Sequence, residues 1–255
     1  MPRRFGWKRP AKSSPHPRLA RPEGLFQVAL PVQVDLRTFD ARIEDQGQTS
    51  GCTAWAAGGF AEHVLQRSFR GFTISKLALY YWERLIDGDP EVDQGSTIAT
   101  AFTVLSQYGC PPIVDWDDSS NLYIAPNAET SADARRHLLK DPQSVAHDPY
   151  DLRAALAAGK PICFGFEVPE QFESEEMART GIMKMPGDGN SIIHNDNGIP
   201  AGHANVLVGY SDIDCFYWSR NSYGASWGLK GYCQIPYDFV HSNHCDDFHT
   251  GSNIS

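Results

Sequence analysis

Cys52, His203 and Asn221 are the side chains whose types and settings invite chemistry. Cys52 follows the turn-rich run from Asp45 to Gly51 and opens an Ala-rich stretch to about Gln66, in which Trp55, Phe60, Val64 and Leu65 suit a buried helix. A thiol at a helix start sits at the positive end of the helix dipole, which favours the thiolate, the form that attacks a carbonyl carbon. An inert, packed cysteine is the ordinary alternative. What separates the two is a base with an orienting partner elsewhere in the chain. Both types are present. His203 heads an apolar, β-branched run to Gly209 that reads as a buried strand, and Asn221 ends a second strand before the glycine-rich turn from Tyr223 to Gly228.

These three pieces, in this order, resemble the papain family of cysteine peptidases over about Val34 to Asp247. The resemblance makes Cys52 the nucleophile, His203 the base, Asn221 the residue that orients the imidazole, and Gln46, six residues before the cysteine, the oxyanion-hole side chain. It also implies that Gly95 and Ser96 pair with the substrate backbone, that Gly202 and Tyr223 line the substrate site, and that Trp227 packs near its primed side. The sequence departs from the family pattern in places. Thr49 stands where a cysteine is usual, Thr53 replaces the aromatic that commonly follows the nucleophile, and Tyr223 replaces the tryptophan that shields the Asn–His hydrogen bond. Asp93-Gln94-Gly95-Ser96-Thr97, with the amphipathic stretch to Gly109-Cys110-Pro111, looks like a bacterial branch.

The elements that must hold these residues divide the chain. Residues 1–33 are rich in Pro, Arg, Lys and Ser, lack hydrophobic periodicity, and read as an extended leader. By resemblance such a leader lies in the cleft and inhibits, with Phe5, Trp7 and Leu25-Phe26 as apolar anchors; a floppy tail is the plainer reading. Residues 34–255 then form the peptidase domain, its helical half spanning 34–112 and its mainly β half 113–255. Helices are expected from Cys52, from Ile74 to Leu85 with Ser75 as cap, and from Thr97 to Tyr108. Tyr150 to Ala158 suggests a further short helix. Strands are expected at Ile162–Val168, His203–Gly209, Phe216–Arg220 and Gly231–Ile235. The fold class is therefore α+β, papain-like, with a helical left half, an antiparallel β-sheet or barrel as right half, and the active-site cleft between them.

Composition narrows the partners. With 22 Lys and Arg against 31 Asp and Glu, the formal charge of −9 argues against nucleic acid. No apolar run reaches membrane-spanning length, and the basic start lacks a signal-peptide core, so the default is a cytoplasmic monomer with no membrane partner, although non-classical secretion would leave no such mark. Of six cysteines, five remain if Cys52 reacts, an odd number that suits reduced thiols better than a disulfide framework; Cys215 and Cys233 flank the Asn221 turn and are the pair that could meet across a hairpin. His241, His244, Cys245 and His249 match no standard zinc spacing and read as an exposed, loop-like tail. His194 reads as a loop residue, exposed or lining the cleft, and His63 as a helix residue. No metal and no cofactor are expected.

The chemistry that follows is hydrolysis of peptide or protein substrates through a Cys52–His203 ion pair and a thioester acyl-enzyme, kept latent by the leader. A different acyltransferase or deamidase would use the same site. A non-catalytic binding protein would have no physical need to keep all four polar residues together.

Overall fold

The computed structural model describes residues 4–21, 29–66, 71–187 and 191–255. Helix α1, Cys52–Gln66, is buried from Cys52 to Leu65 on every face, which explains why its sequence carries so little polar patterning. It lies against α2, Lys76–Ile86, and α3, Ile98–Gln107, on one side and the sheet strands Ile162–Glu167 and Gly202–Ser211 on the other. Side-chain caps set the starts of its partners. Ser75 Oγ accepts from the Ala78 amide, and Thr97 Oγ1 from that of Thr100. Three shorter helices follow, α4 Ala128–Ala134, α5 Pro149–Ala157 and α6 Glu175–Thr180. Of these only α5 was expected, and Asp148 caps it with proline in the first turn.

Seven strands occur among the described residues, all paired antiparallel: β1 Gln33–Asp35, β2 Gln143–Ser144, β3 Ile162–Glu167, β4 Gly202–Ser211, β5 Phe216–Arg220, β6 Tyr232–Pro236 and β7 Cys245–Thr250. Their order is β2-β7-β3-β4-β5-β6, and β1 takes the edge of β4 beyond the point where β3 stops. The sheet stays open and does not close into a barrel. Every residue of β4 is buried, as its mainly apolar run from Ala204 to Val208 suggested, with His203, Asn205 and Ser211 buried among them.

The segment read as an exposed tail is instead α7, Tyr237–Val240, and the inner strand β7. Its polar letters misled because each finds a partner. His241 Nε2 meets Tyr217 Oη at 3.0 Å, His244 Nδ1 meets Glu167 at 2.8 Å, and Cys245 Sγ reaches the Phe239 carbonyl. All six cysteines are free, so the Cys215–Cys233 pair does not form; Cys215 is exposed and Cys233 buried. No helix among the described residues is long and apolar enough to cross a membrane.

A buried charge cluster fixes α1 against the second half. Lys76 is fully buried between Glu62 of α1 and Glu44, and Arg220 at the end of β5 lies 3.7 Å from Glu62 while donating to the Arg42 carbonyl at 2.9 Å. Ions taken from water this way are held by mutual pairing, and the next residue after Arg220 is Asn221.

Candidate active site

Cys52 begins α1 at zero exposure, with backbone groups of Gly6, Trp7 and Ala204 in hydrogen-bonding contact with its thiol. Ala204 is the neighbour of His203 on β4, so helix and sheet meet here. His203, also fully buried, has Nε2 at 2.8 Å from Asn221 Oδ1. The same Oδ1 accepts from the Ser222 amide at 2.8 Å, which identifies that atom as oxygen and makes Nε2 the proton-bearing nitrogen. Rings wall the imidazole. Tyr223 lies 5.0 Å away, Phe166 5.5 Å and Phe172 5.8 Å, centroid to centroid, and Trp227 packs behind Tyr223 and Phe172. Tyr223, at 2% exposure, thus covers the Asn221–His203 bond, and its hydroxyl donates to Glu173.

Gln46 belongs to the same constellation. Its amide N–H and side-chain Oε1 are tied to Ser222, the latter through a 2.5 Å hydrogen bond donated by Ser222 Oγ. Nε2 donates one hydrogen to the Thr49 carbonyl, and its second is available to another acceptor. Ser50 and Gly51, which lead into Cys52, are fixed from the other side. Asp93 accepts from the Ser50 amide and from Tyr80 Oη, and Tyr80 Oη accepts from the Gly95 amide. Tyr80 and Asp93 thereby set Gly95 and Ser96 relative to the cysteine loop. Sequence reasoning placed Tyr80 only within the expected Ile74–Leu85 helix and Asp93 only at the head of the Gly95-Ser96 motif; nothing in their spacing signalled the contact.

The leader occupies the cleft. Gly6 and Trp7 run beside Ser96 as a parallel bridge, with Ser96 N–H donating to the Gly6 carbonyl at 2.9 Å and Lys8 N–H to the Ser96 carbonyl at 2.8 Å. On the opposite wall Trp7 N–H donates to the Gly202 carbonyl at 2.9 Å. Gly95 has φ +75°, and a Cβ there would fall 1.9 Å from the Gly6 carbonyl oxygen, so both backbone conformation and approach call for glycine. Phe5 sets its ring edge-on to His203 at 6.5 Å. A cavity of about 750 Å³ runs along this segment and is bounded beyond it by Ile193, His194 and Ile199 of the loop before β4, so His194 is both exposed and at the cleft. The expected anchors Leu25 and Phe26 lie outside the described residues.

Electrostatics here reverse one expectation. Burial pushes the Cys52 thiol up to about 12, and backbone hydrogen bonds from Gly6, Ala204 and Trp7 offset this only in part. The helix dipole does not win because the charged form is denied water. Glu83 of α2 works in the same direction, and its own carboxyl is held well above the ordinary range by complete burial. Thr53, the residue after the nucleophile candidate, donates to Glu83 Oε2 at 2.5 Å, so its hydroxyl is satisfied in a site where an aromatic is usual.

The family model for papain family cysteine proteases matches residues 30–249. The chain belongs to that family. A solved structure, xylellain, a cysteine protease from Xylella fastidiosa, is 26% identical with a TM-score of 0.87, covering 100% of this chain and 99% of that one. Procathepsin B S9 from Trypanosoma congolense shares the fold at 15% identity and TM-score 0.71, over 98% of this chain and 86% of that one. Among curated proteins, the uncharacterized peptidase C1-like protein L477 of Acanthamoeba polyphaga mimivirus is 32% identical over 213 residues, 77% of this chain and 64% of that protein. The probable cysteine protease RDL2 of Arabidopsis thaliana is 25% identical over 215 residues, 81% of this chain and 55% of that protein. The chain thus spans less than two thirds of the length of either curated relative.

Proposed function

We propose that this member of a hydrolase family cleaves peptide bonds through a thioester acyl-enzyme and is held latent by residues 4–21. The observation that carries the reading is the His203–Asn221 hydrogen bond beside a helix-opening cysteine in a leader-filled cleft. Asn221 engages Nε2, which supports a mechanism in which Nδ1 of His203 exchanges the proton with sulfur. Once the leader leaves, water and imidazolium both favour the thiolate. Attack on the scissile carbonyl puts negative charge on its oxygen, where the second Nε2 hydrogen of Gln46 and the Cys52 backbone N–H serve as donors. His203 protonates the leaving amine, the thioester remains, and water attacks it with His203 as base. An acyltransferase or deamidase would share these steps, and no observation favours either.

Gln46→Ala is expected to lower kcat about 10²-fold with little change in KM, because the donor acts on charge present only in the transition state. Steady-state hydrolysis of a fluorogenic peptide reads this. A fall confined to KM would assign Gln46 to ground-state binding instead.

Latency is expected to weaken in acid. His16 docks with Nε2 3.0 Å from the Ala99 carbonyl and its ring 5.4 Å from that of His249, facing also Thr103 Oγ1, Phe102 and Asp247. Desolvation lowers its pKa, with His249 adding to the fall and the Ala99 carbonyl and Asp247 opposing it. The docked leader therefore binds fewer protons than the free one, whose histidine titrates near 6.5. Docking has full strength above that pH and loses it as pH falls toward the lowered value. Amide-exchange protection of Trp7 and Lys8, corrected for intrinsic rates, should drop several-fold between pH 7.5 and 5, and less in His16→Gln; equal protection across the range would remove the histidine from the latch.

A further inference from the structure

Further along the leader stands a cluster that the cysteine site does not use. Ser14 and His16 each precede a proline, whose ring disfavours helical backbone at the residue before it and stiffens this part of the leader. The His16 amide donates to Ser14 Oγ at 3.1 Å, so the serine oxygen is held in place. It lies 2.7 Å from Nε2 of His249 on β7.

The proton positions follow from the neighbours. Nδ1 of His249 faces two oxygens, the Asp247 carbonyl at 3.0 Å and the Asp247 carboxylate Oδ1 at 3.3 Å, and therefore carries the hydrogen of the neutral ring. Nε2 is left with the lone pair, and the Ser14 hydroxyl donates to it. Asp247 is fixed in turn. Its Oδ2 accepts from the Ile98 amide at 2.7 Å and from Trp7 Nε1 at 3.2 Å, which leaves Oδ1 to the histidine. The Asp247 backbone is left-handed, φ +62°, a conformation that costs free energy in a non-glycine residue and persists where the surroundings impose it. Phe102, at 5.3 Å, and His16, at 5.4 Å, restrain the His249 ring, which is buried. A hydroxyl, a lone-pair imidazole nitrogen and an orienting carboxylate, bonded in that sequence, are the parts of a nucleophilic serine. A cavity of about 490 Å³ opens beside Ser14 and His249, room enough for a small ester.

From this geometry we propose that Ser14 is a covalent modification site that takes an acyl group from activated esters, with His249 as its base and Asp247 as the residue that orients the base. Attack by Ser14 Oγ on the ester carbonyl forms a new C–O bond and breaks the bond to the leaving oxygen. The serine proton passes to His249 Nε2 and from there to that leaving oxygen, so nothing is oxidised or reduced. The site goes beyond the peptidase reading and does not involve Cys52. Because the serine comes from the leader and the base from β7, it exists only while the leader is docked.

The test uses the full-length Cys52→Ala chain and p-nitrophenyl acetate, with acetylation mapped peptide by peptide. Ser13, exposed and adjacent in the same loop, is the internal reference. Ser14 is expected to be acetylated about 10²-fold faster than Ser13 in the folded chain and at about the same rate in urea, the difference being the scale of a positioned base. His249→Gln, which can still accept from the hydroxyl but is not basic, should bring the folded ratio to within about threefold of one. A second readout covers the case in which that variant loosens the leader. Ser14→Cys puts a thiol beside the imidazole, and iodoacetamide at pH 6 should alkylate it about tenfold or more ahead of the exposed Cys215. Equal acetylation of Ser13 and Ser14 in the folded chain, a ratio that His249→Gln leaves unchanged, or a thiol at position 14 no faster than Cys215 would overturn the proposal.

Discussion

Cys52→Ser is expected to lower peptide hydrolysis by about 10⁴-fold or more, the scale seen when the nucleophile of an acyl-transfer unit is removed. The loss follows from position. Cys52 is the first residue of α1, and its sulfur faces backbone of both the leader and β4. Serine keeps size and hydrogen bonding while its hydroxyl is far harder to ionise, so folding is preserved and chemistry is not. Thermal unfolding within a few degrees of wild type, measured alongside the peptidase assay, separates the two. Unchanged hydrolysis by the serine variant would refute the mechanism.

Trp7→Ala is expected to raise basal hydrolysis about 10²-fold. Truncating a buried tryptophan costs about 3–5 kcal/mol in a packed site, and here the loss falls on the docked leader alone, since the indole packs on Gly165 and Gly202 and bonds Asp247 across the cleft. The same change alters the thiol. With the leader docked, burial holds Cys52 at about 12; with it displaced, water returns and the value should move below the ordinary thiol range of about 8.5. The pH midpoint of Cys52 alkylation reads that movement directly. An unshifted midpoint together with an unchanged basal rate would show that the leader decorates the cleft without governing it.

The sequence made the scaffold plain wherever one physical pattern ruled. The run Ala204 to Val208 reads as a strand because β-branched and aliphatic residues dominate it, Asn205 apart, and α1 reads as a buried helix because alanine and glycine carry it between two layers. Ser75 as cap follows from its hydroxyl standing just before a helical apolar pattern. Strand β7 was illegible. Cys-Asp-Asp-Phe-His-Thr looks like surface until Asp247 is seen bonded to Trp7 and Ile98, and His249 to Ser14 at 2.7 Å. Those partners lie more than a hundred residues away, beyond any local pattern. The sign of the thiol shift was hidden for a related reason: the helix dipole is local and readable, whereas the burial that outweighs it comes from residues distant along the chain in both directions, Gly6 and Trp7 of the leader and Ala204 of β4. Leader docking was foreseen only through resemblance, and what makes it possible is the surface that Gly95, Gly165 and Gly202 form together.

The most direct test of the account is selective labelling in the Trp7→Ala chain. An epoxide reagent at limiting dose, followed by peptide mapping of all six cysteines, is predicted to modify Cys52 ahead of the exposed Cys215, and to lose that selectivity when His203→Ala is added. Labelling that falls on Cys215 first, or on Cys52 at the same rate with and without the histidine, would contradict a thiolate activated across the cleft.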